Sequence, residues 1–266
     1  MPELPDVLVY LERLEPLVLG RRVDRLRVLN PFVLRTVEPA ASDAAGKSVN
    51  SLSRLGKRIV IGLDGELFIV IHLMIAGRLR WRPPGKKLPG KLGLAALDFE
   101  HGTLFLSEAG SKRRASIHLV QGKNALREFD RGGLEVLGSS LEEFAARLRS
   151  RSHTLKRALT DPRLFSGIGN AYSDEILWRA QLAPLRKRSS LKPEEVDRLY
   201  GAMREVLADA TQQLRKLVPP DIHEQHREFL QVHLRGGQPC PRCGRDLRQI
   251  GGSEATTFCR NCQPPF

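Results

Sequence analysis

No apolar run in these 266 residues reaches the ~20 that a helix needs to cross a bilayer. Glu3, Asp6, Glu12 and Arg13 break up the N-terminal segment, so a signal peptide is not expected and a cytoplasmic, nucleoid-associated location is. Cysteine is missing until residue 240, and all four lie within the last 27 residues. Clustered pairs of this kind in a cytosolic chain point to metal rather than to disulfides. Internal repeats and low-complexity segments are absent. Acidic side chains are in deficit: 30 Asp+Glu face 43 Lys+Arg, a net charge of +13. That excess suits a polyanionic partner. A membrane surface would call for a lipid-facing amphipathic helix or an anchor, and the sequence offers neither, so nucleic acid is the reading. What remains is a globular composition, 41% hydrophobic and 27% charged, long enough for one large domain or two small ones.

Hydrophobic periodicity divides the chain. Leu4, Val7, Leu8, Leu11, Leu14, Leu17 and Val18 recur at helical spacing, which predicts a helix over 3–19 ended by Gly20. Short β-rich segments follow at Val23–Leu29, Phe32–Val37, Val49–Arg54, Arg58–Leu63, Leu67–His72, Gly77–Arg82, Leu94–Phe99, Thr103–Ser107 and Ile117–Val120. Asp64-Gly65 and His101-Gly102 read as hairpin turns, and strands at this spacing suggest a sandwich or barrel. Residues 130–140 look like a hinge linker between residues 1–129 and a helical region over 141–235. The predicted helices there are Leu141–Ser150, Leu155–Thr160, Ala171–Ala180 and Pro193–Leu217, and residues 236–266 carry the cysteines.

Four local patterns bear chemistry. Cys240-x2-Cys243 and Cys259-x2-Cys262, fifteen residues apart, supply four thiolates for one tetrahedral structural zinc, with a redox pair or an iron–sulfur cluster as alternatives. The intervening Leu247–Phe258 stretch reads as a β-hairpin too small to hold itself without metal. Gly167-Ile168-Gly169-Asn170 opens a helix whose backbone N–H groups could cradle a phosphate, with Lys156 and Arg157 as countercharge; Asn170 could contact the phosphate or act as an N-cap. Arg54-Leu55-Gly56-Lys57-Arg58 is a basic turn between two strands. At the N-terminus, initiator methionine is normally removed before proline, leaving Pro2 as a secondary amine next to Glu3. An α-amino group, with a pKa near ~7.7–8.0, is partly unprotonated at neutral pH, and a secondary amine that attacks carbon gives a cationic iminium directly. Alone, a Met-Pro-Glu start is an ordinary helix opening.

Taken together, Pro2-Glu3-Leu4-Pro5-Asp6, Arg54-Leu55-Gly56-Lys57-Arg58, Gly167–Glu175 and the cysteines ending in Cys262-Gln263 resemble formamidopyrimidine-DNA glycosylase and endonuclease VIII in matching order along nearly the whole chain. The resemblance implies an α+β fold of two lobes: an N-terminal β-sandwich with a leading helix, then a helix-two-turns-helix domain with a zinc β-hairpin. It implies a monomeric base-excision enzyme acting on damaged double-stranded DNA, with one structural zinc per chain. Pro2 would attack C1′ of a flipped-out nucleotide, Glu3 would act as acid/base at the sugar, and Lys57 would grip a neighbouring phosphate. Asn170 and Lys156 match phosphate contacts, and Glu175 matches a structural carboxylate.

Departures from the family pattern bear on the lesion. An arginine five residues before the third cysteine is replaced by Glu254, leaving Arg248 or Arg260 to substitute. The usual His-Leu-Gly-Met segment is His72-Leu73-Met74-Ile75, so the gap-filling methionine is Met74 one place early, or Ile75 replaces it. An Arg-Phe-Gly wedge is replaced by Glu108-Ala109-Gly110-Ser111-Lys112-Arg113-Arg114, where Arg113 and its neighbours could act through the opposite strand. No segment between 215 and 236 resembles the loop that caps 8-oxoguanine. These features predict a lesion choice other than the 8-oxoguanine pattern, with oxidised pyrimidines, ring-opened purines, bulky bases and abasic sites all open. His223, His226 and His233 read as surface or DNA-facing side chains rather than metal ligands. The competing reading is a non-catalytic or lyase-only damage-binding protein on the same scaffold.

Overall fold

Helix α1 spans Leu4–Val18. Its first turn carries Pro5, and the Asp6 carboxylate accepts the Glu3 backbone N–H at 2.8 Å, satisfying one of the donors that a helix start leaves open. Val7, Tyr10, Leu14 and Val18 form the stripe that α1 buries. The computed structural model describes all residues except 85–89, 91, 110–111, 223–226, 253–254 and 265–266.

Among the described residues, eight strands follow: β1 (Val23–Val28), β2 (Val49–Leu55), β3 (Arg58–Leu63), β4 (Leu67–His72), β5 (Gly77–Arg82), β6 (Gly93–Phe99), β7 (Gly102–Glu108) and β8 (Ser116–Gln121). They form two four-stranded antiparallel sheets, ordered β1-β6-β7-β5 and β2-β3-β4-β8. Period-two alternation sends Ile59, Ile61, Ile69 and Ile71 of one sheet and Leu79, Leu97, Leu104 and Leu106 of the other into one core, which is the expected sandwich. The Phe32–Val37 strand is not formed. Pro31–Val33 is a 3-10 turn, in which Asn30 Oδ1 accepts the Phe32 N–H at 3.1 Å. Phe32 and Val37 are 78% and 89% exposed, so their β-prone side chains gain nothing from a sheet. A short helix absent from the sequence reading, α2 (Lys123–Arg127), precedes Phe129; Ala125, Leu126 and Phe129 cover the outward Val60, Val70 and Val120.

The helical part contains α3 (Leu141–Arg149), α4 (Leu155–Thr160), α5 (Asn170–Arg179) and α6 (Pro193–Leu217). A reciprocal cap starts α3: Ser140 Oγ accepts from Glu143 N–H, and the Glu143 carboxylate accepts from Ser140 N–H. Strands β9 (Arg248–Ile250) and β10 (Thr256–Phe258) pair antiparallel as the predicted C-terminal hairpin.

The chain resolves into two compact units. The first holds residues 1–130 together with the chain from Leu214 through Ile222, and the second holds 131–213 and the chain from Arg227 onward. The last turn of α6 thus counts with the first unit. Arg13 donates to the Arg215 and Val218 carbonyls, Arg215 pairs with Glu12 at 2.7 Å, and Ile222 is fully buried in the sandwich core. Sequence periodicity ties this stretch to α6 because the helix is continuous; its burial partners are not visible in the pattern.

Candidate functional site

In the first unit, Pro2 and Glu3 are both buried, Glu3 at 2% exposure, immediately before α1. Glu3 is the N-cap residue, with extended backbone (φ −121°, ψ −171°), and its carbonyl accepts the first intrahelical bond from Val7 at 2.9 Å. Being folded into the helix entry, the Pro2-Glu3 backbone is fixed rather than frayed.

Lys57 lies in the two-residue turn between β2 and β3, where Gly56 adopts φ 60°. Strand register sets Arg58 opposite His72. The sequence motif makes His72 no more than the start of the segment bearing Met74; the pairing reveals it as an imidazole among cations. Burial pushes His72 down to about 4, and the nearby charges of Arg58 and Lys57 add to the shift. In the unfolded chain the imidazole returns to about 6.5 and takes up a proton that the folded chain refuses. Its contribution is therefore full above about pH 6.5 and is lost as pH falls toward 4. Unfolding stability should drop by about 2 kcal/mol between pH 7 and pH 5 on this account. Denaturant titrations should show that drop reduced in His72→Gln; equal drops in both proteins would move the acid sensitivity elsewhere.

Met74 and Ile75, the two candidates for filling the gap, lie in the turn from Leu73 to Gly77. Gly77 N–H donates to the Leu73 carbonyl at 2.9 Å, and a Cβ on Gly77 would lie 2.3 Å from that oxygen, so the turn closes only on glycine. Met74 sits at φ 52°, in the left-handed region, and is half-buried, whereas Ile75 is 58% exposed. Further along, the buried Glu108 carboxylate accepts the N–H groups of Arg114 and Ala115 at 2.8 and 3.0 Å. It thereby anchors the residues just after Arg113, which is exposed.

In the second unit, Gly167 (φ 83°) turns the chain so that α5 begins at Asn170. The Asn170 amide donates to the Ala255 carbonyl at 2.8 Å, tying the start of α5 to the cysteine hairpin. Lys156 points inward: its Nζ meets Asp174 Oδ1 at 2.6 Å and the Asn170 carbonyl at 2.7 Å, with its side chain 11% exposed. Asp174 also accepts from Thr257 N–H at 3.2 Å and lies 2.7 Å from His233 Nδ1. The Glu175 carboxylate accepts the N–H groups of Gln231, Val232 and His233 at 2.9–3.0 Å. Burial pushes Glu175 up and these three donors pull it back. Asp174 is not among the candidates drawn from sequence, and His233, expected at the surface or facing DNA, is instead 10% exposed and held on Asp174; both are part of the frame around Asn170.

The four cysteine sulfurs lie within 4.8 Å of one another, with Cys240–Cys262 at 3.9 Å and Cys243–Cys259 at 3.5 Å. A tetrahedron of thiolates about 2.3 Å from zinc has edges of about 3.8 Å, so the cluster fits that ion. Gln263 braces it: its Oε1 accepts from Cys259 N–H and its Nε2 donates to the Leu182 carbonyl, both at 2.9 Å. Arg248 and Arg260 are exposed on the same hairpin region. Glu254, His223 and His226 lie outside the described residues.

Two family models match the chain in order. Residues 1–116 match the formamidopyrimidine-DNA glycosylase N-terminal domain, and residues 136–217 match the formamidopyrimidine-DNA glycosylase H2TH domain. The formamidopyrimidine-DNA glycosylase of Symbiobacterium thermophilum is 33% identical, covering 99% of this chain and 90% of its own length. That of Thermus thermophilus is 34% identical, covering 99% and 98%. Among solved structures, a point mutant of the Lactococcus lactis Fpg with DNA containing Fapy-dG superposes with a TM-score of 0.87 at 24% identity, covering 99% of this chain and all of that one. The wild-type Lactococcus lactis Fpg with DNA containing N7-benzyl-Fapy-dG gives 0.86 at 25% identity, covering 99% and 100%. Matched from its first residue through the cysteine hairpin, the chain belongs to the formamidopyrimidine-DNA glycosylase family.

Proposed function

We propose that this protein is a DNA glycosylase with AP lyase activity, excising damaged bases through an imine on Pro2. The observation that carries the reading is a Pro2-Glu3 pair buried at the entry of α1, in a chain that aligns with named glycosylases over 99% of its length. Once Met1 is removed, the Pro2 nitrogen bonds C1′ as the bond from C1′ to the base breaks. Glu3 supplies and removes protons at the sugar. The nitrogen sheds its proton, and its lone pair breaks the C1′–O4′ bond while Glu3 protonates O4′, which opens the sugar to a cationic iminium; loss of a C2′ proton gives an enamine whose electrons expel the 3′ phosphate. The base is flipped out first, because C1′ is shielded within a stacked duplex. A protein that only bound damage would have no use for a buried N-terminal amine, and full-length similarity to named enzymes favours catalysis over the binding-only alternative.

DNA contacts come from Lys57 with His72 in the first unit and from the Asn170 turn, Arg248 and Arg260 in the second. Cys240, Cys243, Cys259 and Cys262 would hold a zinc ion, which would supply a structural cross-link that keeps the hairpin folded rather than chemistry at the sugar.

The lesion follows from the wedge. Ile75, at the tip of its turn, fills the gap, and its stiff β-branched side chain follows the duplex less readily than a flexible methionine. Lys112, Arg113 and Arg114 stand where an aromatic wedge is expected. With less compensation for unstacking, on the order of a few kcal/mol, poorly stacked lesions are favoured. Ring-opened purines and abasic sites are the substrates of choice, in keeping with the Fapy-dG and abasic DNA bound by the Lactococcus lactis Fpg. Single-turnover assays on duplexes with a ring-opened guanine, 8-oxoguanine, a saturated pyrimidine or an abasic site should rank 8-oxoguanine below the ring-opened guanine by tenfold or more, and Ile75→Met should narrow the gap. An 8-oxoguanine duplex cut fastest by the unaltered protein would overturn the lesion assignment and leave the chemistry in place.

A further inference from the structure

One side chain outside the four thiolates is aimed at them. Trp178, near the end of α5, is 8% exposed and donates its indole N–H to Cys240 Sγ at 3.4 Å, across 62 residues of sequence. Arg242, which lies inside the first Cys-x2-Cys knuckle, stacks its guanidinium 4.4 Å from the indole centroid and donates to the Trp178 carbonyl at 3.0 Å. Trp178 also shares a buried cluster with Val232, Leu247 and three of the cysteines. A buried indole N–H needs an acceptor, and here the acceptor is a cysteine sulfur rather than a carbonyl.

We propose that Trp178 is a positioning residue for the metal centre: its N–H fixes Cys240 in the liganding rotamer and offsets thiolate charge, while Arg242 clamps the ring from the knuckle side. This rests on the zinc reading given above. Outer-shell donors of this type orient a ligand before the metal arrives, and losing one weakens metal affinity about 10–100-fold. The arrangement links α5, which begins at Asn170, to the cysteine cluster at its other end. Metal loss is therefore felt at the helix through Trp178 as well as through the hairpin.

The sequence contains two tryptophans, so Trp81→Phe leaves Trp178 as the single indole reporter. In that full-length protein, removing zinc with a chelator should shift the Trp178 emission to the red and change its intensity, and restoring zinc should reverse both. Competition with a chromophoric chelator should then show Trp178→Phe releasing zinc about 10–100-fold more readily than the unaltered protein. Arg242→Gln, which keeps the indole N–H, should show a smaller loss. Purified protein that carries no zinc at all would overturn the zinc reading itself. Zinc present at one per chain, with Trp178→Phe holding it as tightly as the unaltered protein, would overturn the role of Trp178 alone. An emission spectrum in Trp81→Phe that ignores zinc removal would do the same without relying on the folding of a Trp178 variant.

Discussion

A residue placed ahead of Pro2 should abolish the covalent DNA adduct that borohydride traps. Fusion converts the Pro2 nitrogen from an amine into a tertiary amide, which has no lone pair to offer a carbon, while the bulk of α1 and the buried Glu3 stay where they are. The expected loss is several orders of magnitude in both base excision and strand cleavage, because covalent catalysis through this nitrogen is removed outright. Pro2→Gly, which leaves a primary amine after methionine removal, should retain part of the lyase activity. Glu3→Gln should separate the two steps: excision of a base falls by about 10²–10⁴-fold, the range typical of general acid–base catalysis, and cleavage at a preformed abasic site falls less, since no base departs. Full trapping by the fused protein would assign the imine to a lysine. Equal losses in the two assays of Glu3→Gln would remove the proposed division of labour.

Much of this site is legible in the sequence because its parts are contiguous. Pro2-Glu3, the basic turn around Lys57, the glycine turn before Asn170 and the paired cysteines are each local patterns, and each falls at an element boundary that Gly or Pro marks. The sandwich is legible too, since two-residue alternation reports which face of each strand is buried. What escapes the sequence is whatever depends on partners far away along the chain. Glu175 meets its backbone donors 56–58 residues later, and Trp178 meets Cys240 after 62. Phe32–Val37 escapes for the opposite reason: its composition is that of a strand, but Pro31 and the Asn30 cap bend it into a turn with two large apolar side chains in solvent. Nor does the sequence show that Met74 takes a left-handed φ of 52° while Ile75 is 58% exposed.

Lys156 shows how far direction matters. In sequence it stands beside Arg157 as surface charge ready for a phosphate; in the structure its ammonium is held by Asp174, which is fully buried, and by the Asn170 carbonyl. We infer that it acts on DNA through the placement of Asn170. Lys156→Ala should then destabilise the protein by about 3–5 kcal/mol, the usual cost of leaving a buried charge without its partner. That is a large share of a total stability of about 5–15 kcal/mol. His233 and the Thr257 N–H remain on Asp174 and hold the loss toward the lower end. Asp174→Asn added to Lys156→Met should recover part of the stability, since no unpaired charge is then left inside. Lys57→Ala, by contrast, should leave stability within about 0.5 kcal/mol and flatten the log–log salt dependence of DNA binding by roughly one unit, the signature of one lost phosphate contact. For Lys156→Ala, measured below its melting range, affinity should fall through the displaced Asn170 with the salt slope unchanged. A Lys156→Ala protein of normal stability whose slope flattens by about one unit would instead make Lys156 a direct phosphate ligand, with its bond to Asp174 given up when DNA arrives.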